Sequence, residues 1–143
     1  MMNPKLFKFS TTIKVRNYEV DWQGIVHNLN YLFYLEVGRL EYLKNLGIKV
    51  DARTICGETK FVIFRNEITY KYSARFGQLL KVYTRISRIN NSNFVFEGLI
   101  VDEEEGHVIA ENRAVHVWLD RKTGRPVRVP EQIRKAWKKF EKS

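Results

Sequence analysis

A stretch rich in Phe, Thr, Ile and Val runs from Phe7 to Tyr18 and predicts a first strand. A loop, Glu19 to Val26, follows it and contains Gly24. From Asn28 to Leu46 the period turns helical, and Gly47 stands where a C-terminal cap belongs. Leu29, Leu32, Phe33, Glu36, Leu40, Leu43 and Leu46 keep the helical spacing with one polar exception. Tyr31, Tyr34, Leu35 and Val37 make the remaining faces apolar as well. A helix apolar nearly all round is normally buried on several sides.

After Glu58 the pattern becomes alternating, and Phe61–Tyr72, Leu79–Ile89, Phe94–Glu103 and Val108–Asp120 predict four further strands. Gly77, the Asn90-Asn91-Ser92-Asn93 cluster and Glu105-Gly106 separate them, so an antiparallel meander with short turns is expected. Ile133, Ala136, Trp137 and Phe140 return to helical spacing and predict a short C-terminal helix at about 130–141. The order is strand, long helix, four strands: an α+β arrangement in one domain over residues 1–143. The helix can be covered on several sides only if the sheet wraps around it or a second subunit helps.

Composition narrows the partner without naming it. Of 143 residues, 25 are Lys or Arg and 16 are Asp or Glu, a net charge of +9. Such an imbalance suits nucleic acid, an anionic membrane or a phosphorylated small molecule. No apolar run approaches the roughly 18 residues that span a bilayer. Lys8 interrupts the apolar start Leu6-Phe7-Lys8-Phe9, unlike a signal-peptide core, and this predicts a cytoplasmic protein. Cys56 is the single cysteine, which excludes an intramolecular disulfide, and three scattered histidines offer no zinc spacing, so no metal site is expected.

The loop before the long helix carries the chemistry. Tyr18-Glu-Val-Asp21-Trp-Gln-Gly24-Ile-Val26-His27-Asn28-Leu-Asn-Tyr31 places an acid between a strand and a buried helix. Gly24 permits a tight turn or a close approach of ligand to backbone. The helix begins near His27 or Asn28, where unpaired N–H groups and the positive dipole end can receive a developing oxyanion. An acid beside an oxyanion site suits acyl transfer or hydrolysis of an activated acyl group; Asp21 as an ordinary turn or cap residue is the competing reading.

The spacing Tyr-x-x-Asp-x-x-Gly-x-Val-x-Asn-x-x-Tyr, continued by Glu36-x-x-Arg39, resembles the 4-hydroxybenzoyl-CoA thioesterase family of hotdog-fold acyl-CoA thioesterases. Ile68-Thr-Tyr70, Ala74-Arg-Phe-Gly77 and Arg125-Pro126-Val-Arg-Val-Pro130 extend the resemblance over roughly residues 8–135. It implies a hotdog fold, a five-stranded antiparallel sheet wrapped around a long central helix, in a homodimer or homotetramer with active sites at the subunit interface. It implies an acyl-CoA substrate and no cofactor. Asp21 takes the catalytic acid position, as nucleophile or general base. Asn28 falls at the helix-start oxyanion donor, acting through its backbone N–H. His27, one position earlier than the histidine of some members, is either a helper of Asp21 or a helix cap. Tyr31 matches a position near the acyl pocket, although an aromatic there also serves as core. Glu36 and Arg39, three residues apart, are expected to form a helical ion pair, and Gly38 to mark a close crossing.

CoA phosphates require basic partners. Lys81, Arg85 and Arg88 recur along one predicted strand, and Arg85 and Arg88 are the expected contacts. Lys81 and Arg85 share a face; Arg88 points to the other unless a bulge intervenes. A non-catalytic acyl-CoA-binding hotdog module is the alternative reading, and the acid at position 21 argues against it. The aromatics follow core periodicity and no nucleic-acid motif is present, so no nucleic-acid partner is expected. The C-terminal helix has a short apolar stripe, expected to dock on the domain without stable membrane association.

Overall fold

The computed structural model describes residues 2–50 and 59–143; Cys56 lies outside them. Helix α1 spans Asn28–Asn45. His27 caps its start: the backbone is extended and the ring Nδ1 accepts the Leu29 N–H at 3.3 Å. At the far end the Ile48 N–H returns to the Leu43 carbonyl and Gly47 takes φ +83°, the left-handed closure its sequence position predicted.

Five strands follow the predicted order: β1 Ser10–Lys14, β2 Thr59–Tyr70, β3 Leu79–Ile89, β4 Asn93–Asp102 and β5 Val108–Asp120. They form one antiparallel sheet in the order β1-β3-β4-β5-β2. Two expectations need correction. The meander holds only for β3, β4 and β5; β2 crosses to the far edge and pairs with β5. The segment after β2 makes this possible, because it passes the start of α1 and is fastened there: Ala74 N–H donates to the Tyr31 hydroxyl at 2.9 Å and the Ala74 carbonyl accepts Val26 N–H. The first strand is also far shorter than Phe7–Tyr18. Before it, Phe7 leaves the strand path and packs against Tyr83 with ring centroids 5.8 Å apart. After it, the Glu19 carboxylate accepts the Arg16 N–H and Nη2 while the Glu19 N–H donates to the Arg16 carbonyl, and the chain turns into a 3-10 helix at Asn17–Glu19.

Alternation along β3 buries Leu80, Val82, Thr84 and Ile86 toward α1 and leaves Lys81, Tyr83 and Arg85 on the outer face. Between Ile86 and Arg88 a bulge inserts an extra residue, which brings Arg88 back to the outer face beside Val95. The helix buries Tyr31, Tyr34, Leu35, Gly38, Arg39, Tyr42 and Leu43. This corrects the spacing taken from the sequence: Leu29 and Phe33 belong to an outward stripe with Val37, and Phe33 is 65% exposed. Every face was apolar, so only the crossing with the sheet decides which one is buried. Gly38 marks that crossing. A Cβ there would lie 2.6 Å from Thr84 Oγ1 and 2.8 Å from Val82 Cγ1.

The interior divides along α1. Around its first half, Tyr31, Tyr34 and Leu35 pack with Val15, Val26, Leu80, Val82, Ile100 and Ile109. Around its second half, Tyr42 and Leu43 meet Ile86, Phe94, Phe96 and Trp118, closed by helix α2, Glu131–Glu141, through Ile133 and Trp137. Trp137 donates its indole N–H to the Ile86 carbonyl at 2.7 Å, and Tyr42 donates its hydroxyl to Glu141 at 2.5 Å. The apolar face of α2 is therefore docked on the sheet, as its short stripe predicted. Among the described residues no helix is long and apolar enough to cross a membrane.

Two consequences of this packing are measurable. Gly38→Ala should lower stability by about 1–3 kcal/mol, because the methyl meets a branched side chain and a hydroxyl on a sheet that cannot recede; urea unfolding measures it. His116 is buried among Phe61, Phe94 and Phe96. Burial, helped by the nearby Arg39 charge, pulls its pKa down from 6.5 to about 4. The unfolded chain therefore takes up a proton that the folded one refuses, and stability should fall as pH drops from 6.5 towards 4. The loss approaches about 3 kcal/mol. Unfolding curves at pH 7 and pH 4.5 should show this difference shrinking in His116→Leu.

Candidate active site

The loop between β1 and α1 closes on itself as a small hairpin. Val20 bridges to Val26, the Asp21 N–H donates to the Ile25 carbonyl at 2.9 Å, and the Gly24 N–H returns to the Asp21 carbonyl at 3.0 Å. Gly24 takes φ +80°, and nothing lies within 4 Å of the Cβ it lacks, so backbone conformation rather than crowding demands glycine. The hairpin holds Asp21 at the rim of a cleft of about 550 Å³, lined among others by His27, Asn28, Tyr31, Tyr70, Lys71 and Tyr72. One carboxylate oxygen, Oδ1, accepts the Gln23 N–H at 2.8 Å; Oδ2 has no partner among the described residues.

The start of α1 faces the same cleft. Its first N–H groups are already divided: His27 Nδ1 takes that of Leu29, and the His27 carbonyl takes that of Asn30 at 2.9 Å. The Asn28 N–H is left without a partner among the described residues. It stands at the positive end of an 18-residue helix. In this pairing Nδ1 of His27 is an acceptor, so the neutral ring carries its proton on Nε2. The cap reading of His27 thus has a specific geometry. Tyr31 is buried, with its hydroxyl accepting Ala74 N–H, and forms the cleft wall toward the β2–β3 connection.

Glu19 organises this end of the molecule and was not singled out from the sequence. It is 5% exposed. Its Oε1 accepts the Arg16 N–H at 2.8 Å and the Tyr34 hydroxyl at 3.0 Å, while Oε2 accepts Arg16 Nη2 at 2.8 Å. Its carbonyl accepts the His27 N–H at 3.0 Å and the Asn30 side-chain amide at 2.8 Å. Burial alone pushes this carboxyl up, but the Arg16 and Tyr34 contacts outweigh it and hold the pKa below the ordinary glutamate value.

Arg85 and Arg88 do not line the Asp21 cleft of their own chain. Arg85 grips Glu97 through Nε at 2.8 Å and Nη2 at 2.6 Å, donates to the Leu6 carbonyl, and stacks over Phe7. Arg88 lines a second, outer-face cavity of about 360 Å³ with Arg65, Glu67 and Arg113. The basic residue that does reach the cleft is Lys71, exposed at its mouth. Its position directly after Ile68-Thr-Tyr70 was the available sequence signal. Trp22, next to the acid, is 91% exposed. Glu36 and Arg39 form the expected ion pair at 3.0 Å, and Arg39 also donates to Asn112 Oδ1. At the β4–β5 turn Asp102, Glu105 and His107 bring potential ligand atoms within 4.8 Å of one another; Asp102 is already engaged by Gln78 and the Glu104 N–H.

An antiparallel sheet folded over one long helix, with an acid beside the helix start, defines a hotdog-fold protein of the thioesterase type. The chain belongs to the thioesterase-like superfamily, whose family model matches residues 15–137. It is similar to the chloroplastic acyl-acyl carrier protein thioesterase ATL3 of Arabidopsis thaliana, with 35% identity over 90% of this chain. It spans about two thirds (66%) of that relative's length. It is 29% identical to the long-chain acyl-CoA thioesterase FadM of Escherichia coli, over 87% of this chain and 92% of FadM. A thioesterase from Thermus thermophilus, solved with coenzyme A and Zn, superposes with a TM-score of 0.81 at 28% identity, covering 96% of each chain.

Proposed function

We propose that this protein hydrolyses acyl-CoA thioesters to free acid and CoA, with Asp21 as the reacting carboxylate and the Asn28 N–H as the oxyanion donor. The observation that carries the reading is their meeting in one cleft: an acid with an uncommitted oxygen and a helix-start N–H without a partner among the described residues. As general base, Asp21 takes a proton from water while the water oxygen attacks the carbonyl carbon. The carbonyl oxygen then gains negative charge against the helix N-terminus. Collapse expels CoA thiolate, which recovers a proton. As nucleophile, Asp21 instead forms a mixed anhydride, releases CoA thiol, and is freed by water. Gly24 keeps the rim low, Tyr31 backs the acyl group, and His27 holds the helix start through its cap. Lys71 is the nearest candidate for a CoA phosphate. Arg85 and Arg88 serve the nucleotide only if a second subunit brings its outer face to this cleft.

Within the superfamily, the motif from Tyr18 to Arg39 supports a place beside the 4-hydroxybenzoyl-CoA thioesterases. The whole chain, 1–143, acts as one hotdog unit in this reading, in the cytoplasm where CoA esters are made and used. A homodimer, alone or paired into a tetramer, is supported by two adjoining surfaces. Strand β2 is an edge with no partner on its outer side among the described residues and carries exposed Val62, Ile63 and Phe64; α1 adds the exposed stripe Leu29, Phe33 and Val37. The similarity to ATL3 favours a second substrate reading, an acyl carrier protein, whose thioester sits on the same phosphopantetheine arm.

Asp21→Asn should reduce thiol release from acyl-CoA by at least about 1,000-fold with the oligomer intact; near-normal turnover overturns the mechanism. Running acyl carrier protein beside a panel of acyl-CoAs separates the two substrates by kcat/KM. Phe33→Asp should shift sedimentation toward monomer and lower turnover with it, since a charge in the stripe cannot be buried unpaired.

A further inference from the structure

We propose that Glu19 is the positioning residue of this active site: its buried carboxylate and its carbonyl together fix the distance between Asp21 and the helix N-terminus. The inference rests on the reading of Asp21 and Asn28 given above and assigns a role to a residue that touches neither substrate nor reacting atoms. Glu19 lies immediately before the Val20–Val26 hairpin that carries Asp21. Its carboxylate ties the strand end, through Arg16 N–H and Nη2, to the second turn of α1, through the Tyr34 hydroxyl. Its carbonyl ties the same residue to the helix cap, through His27 N–H, and to the first turn, through the Asn30 amide. Both ends of the hairpin and the helix start therefore hang from one residue.

The geometry needs this fixture. Among the described residues Asp21 itself is held only by backbone bonds of its own hairpin and by the Gln23 N–H, none of which reaches α1. The far side of the hairpin is tied to the β2–β3 connection through Val26 N–H and the Ile25–Arg75 bridge, so without the Glu19 carboxylate it is the near side, the strand end that leads into Asp21, that loses its tie to Tyr34 of α1. A displacement of about 1 Å between acid and oxyanion donor is enough to lose two orders of magnitude in rate. A charge buried solely for folding would be a poor choice, because apolar replacements of buried ion pairs are often as stable. The Arg16 N–H and the Tyr34 hydroxyl both converge on a single oxygen, Oε1. That convergence makes position rather than charge the function of the group.

The test uses the full-length protein and the acyl-CoA that it turns over fastest. Glu19→Ala should lower kcat by roughly 30- to 100-fold with KM within about threefold. Glu19→Gln keeps Oε1 for both donors and gives up only the Arg16 Nη2 bond, so kcat should recover to within about threefold of the parent. In an Asp21→Asn background Glu19→Ala should cause no further loss, because it acts through that carboxylate. Parent-like kcat in Glu19→Ala, a Gln variant as slow as the Ala variant, or an additive loss with Asp21→Asn each overturn the proposal. Should Glu19→Ala fail to fold, Tyr34→Phe decides: it removes one hydroxyl, and kcat should fall about three- to tenfold at constant KM, whereas no change is fatal. Failure here is separable from failure of the mechanism. An inactive Asp21→Asn with an unaffected Glu19→Ala sinks only the role of Glu19, and an active Asp21→Asn sinks the reading beneath it.

Discussion

The close seating of α1 on β3 and β4 is the constraint on which everything else depends. It occurs at two glycines facing from opposite sides. Gly38 lets the helix approach Val82 and Thr84, and Gly98 lets β4 receive Leu35, whose Cδ2 would stand 2.7 Å from any Cβ placed there. With no room between helix and sheet at mid-length, a ligand has access only at the helix ends or along its uncovered side. The N-terminal end is open, because the connection from β2 to β3 is pinned back by Tyr31 and Val26 rather than laid across it. The uncovered side is the Leu29–Phe33–Val37 stripe. Packing thus leaves two approaches to α1 open before any reactive group is considered.

The same seating explains how the basic charge is used. A net +9 reads from the sequence as an invitation to a polyanion, yet several arginines are occupied by the fold. Arg39 is buried between Glu36 and Asn112, and Asn112 in turn donates to Asn66 and to the Glu67 carbonyl. Helix, β5 and edge strand are joined by that chain of bonds. Arg85 secures the N-terminal segment over the outer face through Leu6 and Phe7. Arg134 donates to the Asn90, Asn91 and Val129 carbonyls and anchors α2 to the β3–β4 turn. These guanidiniums serve as multidentate fasteners for backbone carbonyls and carboxylates, a task for which a planar five-donor group is better suited than an ammonium.

Period and punctuation carried most of the fold. The helix limits, the β3 and β5 limits and the α2 span are legible because capping residues, glycines and alternation are local properties. What failed was relational. The inward face of α1 was misread because its apolar residues surround the axis, and only Gly38 pointed to the crossing. The pairing of β2 with β5 was invisible, since edge choice depends on where the 71–78 connection is fastened. The short β1 reflects a Phe7–Tyr83 contact between residues far apart in sequence at its start and the Arg16–Glu19 bonds at its end. At the site, Asp21, Gly24 and the helix start were legible as a motif, and the alternative of a cap for His27 matches its Nδ1 bond. Lys71 and Glu19 were missed for opposite reasons: one reaches the cleft from the 71–78 connection, distant in sequence, and the other hides its carboxylate inside.

Glu19 and Asp21 show how one short segment places two identical chemical groups in different surroundings. They are separated by a single valine, and in an extended chain their side chains leave on the same side. The turn at Asn17–Glu19 folds the first against Arg16 and Tyr34, where each oxygen finds a donor and the charge is neutralised. The hairpin then carries the second to the cleft rim, where one oxygen is steadied by Gln23 and the other has no partner among the described residues. A carboxylate whose oxygens are all engaged makes a good anchor, whereas one with an open oxygen at a cleft rim can still meet a ligand. Backbone geometry, rather than residue type, separates the two carboxylates, and the intervening Val20 takes part in it through its bridge to Val26.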